Sequence, residues 1–103
     1  MACSVREAPA VARELDRALA YLELELSFEG AASRLAKAYI ELVDRLERHP
    51  LMYPLCLDKR LSEHGYRKAV LSGTSYLVLY SVSGETVTIA HVFHQRSDYA
   101  RFV

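Results

Sequence analysis

No apolar run in this 103-residue chain approaches the roughly 20 residues a bilayer-spanning helix needs. Its start also lacks a cationic stretch leading into an apolar block, so a chain that stays in the cytoplasm is expected. There are only two cysteines, Cys3 and Cys56, and in an unexported protein such a pair is expected as two reduced thiols. Net charge is absent too: 13 basic and 13 acidic side chains cancel. No global field therefore draws the chain to nucleic acid or an anionic membrane, and any polyanion binding must be local. The balance shifts only weakly along the sequence, with 7 basic and 9 acidic residues up to His49 and 6 and 4 after it. A Gly-rich phosphate loop, Cys-x-x-Cys, His-Glu-x-x-His and Gly-x-Ser-x-Gly are all missing, which removes P-loop hydrolysis and zincin chemistry.

What is present is globular. Half the residues are apolar (51%) and a quarter charged (25%), which excludes wholesale disorder and a collagenous repeat. A single domain over 1–103 of this size buries roughly 65% of its unfolded surface and needs no metal or disulfide staple. Val11, Leu15, Leu19, Leu22 and Leu26 recur in steps of three or four, predicting an amphipathic helix over 9–26 with Pro9 in its first turn. A second apolar line, Ala32, Leu35, Tyr39, Leu42 and Leu46, predicts a helix capped by Ser27, with Glu29 in its first turn, running to about Arg48. His49-Pro50 stops it, because proline disfavours helical geometry in the residue before it. The two stripes are expected to pack as an antiparallel hairpin.

Residues 51–65 read as an extended connection with a short helical turn near Lys59 to Glu63. From Tyr66 the texture becomes β-branched and aromatic, predicting strands at Tyr66–Leu71, Ser75–Val82 and Thr86–Phe93 joined by turns at Ser72-Gly73 and Ser83-Gly84. Residues 1–6 are expected as an edge strand. The whole is an α+β domain: an N-terminal helical hairpin packed on one face of a small antiparallel sheet. Tyr76, Tyr80, His91 and His94 exceed what two helices can hide, so the opposite face is expected to meet a partner or a ligand.

Two clusters carry chemistry. Gly65-Tyr66-Arg67 opens the first long strand, and His94-Gln95-Arg96-Ser97-Asp98-Tyr99 follows the last. Both are expected at strand ends about 10 Å apart, lining one cleft. Arg67, Arg96, His94 and Tyr99 are the residue types for cleaving a phosphodiester without metal: guanidinium groups offset phosphate charge, and an imidazole or phenol moves protons. Each also has an ordinary reading, as an exposed or ion-paired arginine, a locally hydrogen-bonded histidine or a sheet-surface tyrosine. No cofactor is expected. His91 and His94, three apart on one strand, point to opposite faces and do not share a metal.

The order of these elements, with Leu42-Val43-Asp44-Arg45-Leu46-Glu47-Arg48-His49-Pro50, Gly65-Tyr66-Arg67-Lys68-Ala69-Val70, Tyr76-Leu77-Val78-Leu79-Tyr80-Ser81-Val82, Thr86-Val87-Thr88-Ile89 and the closing His94-Gln95-Arg96-Ser97-Asp98-Tyr99, resembles the RelE/ParE superfamily of bacterial toxins. That resemblance implies the toxin of a type II toxin–antitoxin module, neutralised by a small cognate antitoxin; without it, exposed apolar and tyrosine-rich surface is expected to favour a homodimer. Members resembling RelE cut messenger RNA in the ribosome, members resembling ParE poison DNA gyrase, and others are described only as plasmid-stabilisation proteins. By similarity Arg67 falls where RNA-cleaving members place a phosphate-binding arginine, His94 where some place an acid/base histidine, and Tyr99 near their C-terminal aromatic. A metal-independent endoribonuclease acting at the ribosome is thus the expected activity. The alternatives are a non-catalytic gyrase inhibitor and a relic that only binds its antitoxin.

Overall fold

The computed structural model describes residues 3–24 and 30–103. Strand β1 (Ser4–Glu7) leads into α1 (Pro9–Leu24) and α2 (Ala31–Arg48), then α3 (Lys59–Glu63), β2 (Arg67–Val70), β3 (Tyr76–Ser83), β4 (Thr86–His94) and a final helical turn at Tyr99–Phe102. Pro9 opens α1, where a missing N–H loses nothing. Helix α2 follows Gly30 and ends at His49, whose backbone N–H donates to the Arg45 carbonyl. The expected cap at Ser27, together with Leu26 and Glu29, lies outside the described residues. Helix α3 forms where the sequence places a short turn, because the Asp58 carboxylate accepts the Leu61 N–H at 3.0 Å. No helix among the described residues is long and apolar enough to cross a membrane.

The sheet order is β1-β4-β3-β2, with β1 parallel to β4 and the other pairs antiparallel. The β3–β4 turn relies on Gly84, whose φ of 58° suits a residue without a Cβ. One face of the sheet, carrying Tyr76, Val78, Tyr80, Val87, Ile89 and Val92, packs on the helices, where Val11, Ala18, Leu22, Leu35, Leu42 and Leu46 are buried. Strand β4 keeps Val87, Ile89 and Val92 on that face only because the ladder slips between Leu79 and Tyr80: Tyr80 pairs with Ile89 and Leu79 with His91, leaving Ala90 as the extra residue of a bulge.

The opposite face corrects one expectation. Leu77 and Leu79 are shielded there by the chain itself, under Cys56, Leu61, Tyr66, Tyr99 and Val103. Tyr76 and Tyr80, expected to overflow the helices, are buried on the helix side. The physical reason lies in β3: Tyr76–Tyr80 is a continuous apolar run, the pattern of a strand covered on both faces. Arg60 ties the cover down by donating from its guanidinium to the carbonyls of Ala100 and Val103. The two cysteines are free, Cys3 packed against the helix-side core and Cys56 buried under the other face, where burial pushes its thiol pKa up.

Leu42→Ala should cost about 2–5 kcal/mol in urea unfolding, since Leu42 is fully buried. Leu57→Ala, at a side chain 99% exposed, should stay within about 0.5 kcal/mol. Asp58→Ala should remove about 1 kcal/mol by leaving the Leu61 N–H uncapped.

Candidate functional site

The four candidate residues do not converge. Arg67 pairs with Tyr80 and His94 with Tyr76, four residues apart along β3. That is ~13 Å along the sheet, to which the two strand spacings between β2 and β4 add ~10 Å across it. The expectation of one shared cleft is therefore corrected. The first and third strands of a meander run in the same direction, so the beginning of one and the end of the other lie at opposite ends of the sheet.

Arg67 is engaged in holding the fold. Its Nη1 donates to the Tyr53 carbonyl at 2.7 Å, beside the Tyr80 hydroxyl, which donates to the Pro50 carbonyl at 2.8 Å. Tyr53 meets Tyr80 edge-on, with ring centroids 6.4 Å apart, and its hydroxyl accepts from Arg45 Nε at 3.2 Å. Together these contacts anchor the segment that leaves α2. The Tyr80 phenol is raised, chiefly by burial, with the Tyr53 backbone and the Arg67 charge pulling the other way.

Tyr99 lies on the face away from the helices, stacked on Phe93 at 5.8 Å and 16°, with Phe93 in turn stacked on His91 at 5.0 Å and 16°. His94 and Arg96 remain together at the far end of β4. The Arg96 backbone N–H donates to His94 Nδ1 at 3.1 Å, so the ring proton sits on Nε2, and the Arg96 side chain is exposed. His94 stands edge-on to Tyr76 at 5.2 Å. The Tyr76 phenol is raised by burial and, secondarily, by Tyr21.

Tyr21, Tyr76 and His94 separate two adjoining hollows between α1 and the ends of β3 and β4. One, about 190 Å³, is bordered by Arg34 and Thr74; the other, about 420 Å³, by Glu14, Arg17 and Phe93. Glu14 is committed: one oxygen accepts the Val92 N–H at 2.9 Å and the other meets His91 Nδ1 at 3.0 Å. It thereby occupies the edge of β4 where β1 has ended. The aromatic walls and flanking arginines suit a flat or anionic group, with His94 Nε2–H as a donor. Sequence reasoning missed Tyr21, Arg34, Arg17 and Glu14. The signal was present in α1, where Glu14, Arg17, Ala18 and Tyr21 follow helical spacing beside the leucine stripe.

Residues 5–99 match the family described as ParE toxin of type II toxin-antitoxin system, parDE. Two solved structures share the fold. The chromosomal ParDE toxin–antitoxin system from P. aeruginosa superposes with a TM-score of 0.68 at 17% identity, over 89% of this chain and 95% of that one. The toxin–antitoxin complex RelBE2 from Mycobacterium tuberculosis gives 0.63 at 22% identity, over 91% of this chain and 99% of that one. No curated protein matches the sequence. At those identities the structures speak for the architecture, while the family match runs through nearly every element from β1 to the last turn. The chain belongs to the ParE toxin family of type II toxin–antitoxin systems.

Proposed function

We propose that this toxin acts without breaking a bond: it binds and disables a protein target, DNA gyrase on the ParE pattern, and is held inactive by a cognate antitoxin. The observation that carries this reading is the separation of the candidate catalytic residues. Metal-free phosphodiester cleavage needs charge compensation and proton transfer at one phosphate. Arg67 lies ~13 Å along the sheet from His94, and Tyr99 lies behind it. Neutral net charge points the same way, since RNA binding draws on an excess of positive charge. The antitoxin partner is supported by the two solved relatives, one from a toxin–antitoxin system and the other a toxin–antitoxin complex. It is also supported by large apolar side chains left on the surface, Leu24, Leu51, Met52 and Phe102 among them.

A second reading, the endoribonuclease, is favoured by one observation: His94 lines both hollows beside α1, and its imidazole is held by the backbone N–H of Arg96, two residues on. Inducing wild type and His94→Ala without antitoxin separates the two. The binding reading expects growth arrest with gyrase-dependent DNA breaks, intact messages and a His94→Ala variant as toxic as wild type. Cleaved messages in wild type, falling ~10²-fold or more in His94→Ala, would establish the nuclease instead. A well-folded wild type with no effect on growth would identify a relic. Arg67→Ala should lose about 1–3 kcal/mol in urea unfolding, because it strips the Tyr53 carbonyl of its donor.

A further inference from the structure

The start of α2 carries more positive character than its own residues offset. Gly30, left-handed at φ 83°, precedes the helix without a side-chain cap, and no acidic residue stands in the first turn. The Arg34 N–H donates to the Gly30 carbonyl at 2.9 Å, closing the first turn, so the N–H groups of Ala31, Ala32 and Ser33 have no acceptor one turn back within the helix. Arg34 adds a full charge at the same end, its Nη1 lying 3.6 Å from where a Cβ on Gly30 would stand. A cation is misplaced at the positive end of a helix dipole unless an anion joins it. Among the described residues no carboxylate pairs with Arg34. The smaller hollow opens here, bordered by Ala31 and Arg34 from α2 and by Tyr76 and His94 from the sheet. Tyr76 points to a ligand on separate grounds. It is 7% exposed and borders both hollows, yet its hydroxyl has no hydrogen-bond partner among the described residues. The comparably buried Tyr39 and Tyr80 hydroxyls each donate, to Glu7 and to the Pro50 carbonyl, as buried phenols ordinarily do. Burial raises the Tyr76 phenol, so it stays protonated and able to donate. Thr74 fixes its backbone: the threonine hydroxyl donates to the Leu71 carbonyl and accepts the Tyr76 N–H.

We propose that the two hollows form one site for a small phosphate monoester carrying a flat ring, with the phosphate at the start of α2 and the ring between α1 and β4. The phosphate accepts from the first N–H groups of α2, the Arg34 guanidinium, the Tyr76 hydroxyl and His94 Nε2–H. Its three terminal oxygens match donors converging from α2, β3 and β4, more than the two oxygens of a carboxylate can serve. The larger hollow, about 420 Å³, has the size of a small-molecule site and offers Tyr21, Tyr76, Phe93 and His94 for contact with a ring. Charge sets the orientation: Glu14 borders the larger hollow and repels a phosphate there, whereas no carboxylate lines the smaller one among the described residues. The site uses neither Arg67 nor Tyr99 and holds whichever target the toxin has. Because His94 also figures in the nuclease reading, binding rather than cleavage is what tests it.

The test titrates phenyl phosphate into the whole isotope-labelled protein, following backbone amides by NMR and stability by thermal melting. Saturable shifts are expected at the Ala31, Ala32 and Ser33 amides with a Kd below about 1 mM. Inorganic phosphate, which lacks the ring, should bind at least ~10-fold more weakly. Arg34→Ala, at an exposed side chain, should weaken phenyl phosphate at least ~10-fold with an unchanged melting curve. Tyr76→Phe keeps the ring and removes only the hydroxyl, so affinity should fall about 10-fold while the melting temperature holds. Arg13→Ala, exposed on α1 and outside both hollows, should leave affinity unchanged. The proposal is overturned by absence of saturation up to about 1 mM, by equal affinity for inorganic phosphate, by affinity indifferent to Arg34→Ala or Tyr76→Phe, or by shifts confined to other amides. A lowered melting temperature in Tyr76→Phe would overturn it too, because the hydroxyl would then already serve the fold. Single-stranded RNA that shifts the same amides at least ~10-fold more tightly than phenyl phosphate would overturn the small ligand in favour of a nucleic acid.

Discussion

Over Tyr76–Tyr80, strand β3 has no exposed side. Tyr76, Leu77, Val78, Leu79 and Tyr80 are all buried, and because successive side chains alternate, they require cover from two directions at once. Fully burying each large apolar side chain contributes roughly 1.5–3 kcal/mol, so both covers are worth building. The helices α1 and α2 supply one. A short helix, the segment before it and the last turn supply the other, pinned by Arg60 at the carbonyls of Ala100 and Val103. Even the polar atoms in this neighbourhood serve the central strand: the Tyr80 hydroxyl finds the Pro50 carbonyl, and Arg67 finds that of Tyr53.

That demand explains which parts of the structure were readable beforehand. The helical stripes are local patterns, and they bury the residues their spacing selects, Leu22, Leu35, Leu42 and Leu46 among them. The turn at Lys59–Glu63 and the strands starting near Arg67, Tyr76 and Thr86 are likewise local, as is the short edge strand at Ser4–Glu7. The cover over Leu77 and Leu79 was not readable, because it depends on residues such as Leu61 and Tyr99 that are distant in sequence and weakly patterned. Its trace was the unbroken Tyr76–Tyr80 run, which asks for two covers rather than one.

The functional residues were harder still. Arg67, His94, Arg96 and Tyr99 have suitable chemistry, yet chemistry does not fix direction. The meander sends Arg67 to one end of the sheet and His94 to the other, and Tyr99 goes to the far face. Strand direction alone, applied to Tyr66–Leu71 and Thr86–Phe93, would have separated the first two. The hollows beside His94 draw on Tyr21 of α1 and Arg34 of α2, residues whose role emerges only when the two helices are laid on the sheet.

The bulge at Ala90 also governs how the chain tolerates changes in length. With Ala90 as the extra residue, Val92 and His94 face the helices while His91 and Phe93 face away. Removing Ala90 would restore plain alternation from Ile89 onward and leave all four on their present sides. A regular ladder that kept Ala90 would exchange them, driving His91 toward the leucines of α1 and α2 and turning His94 outward to join Tyr99. The bulge is thus where β4 can lose a residue without the two faces of the sheet trading their contents.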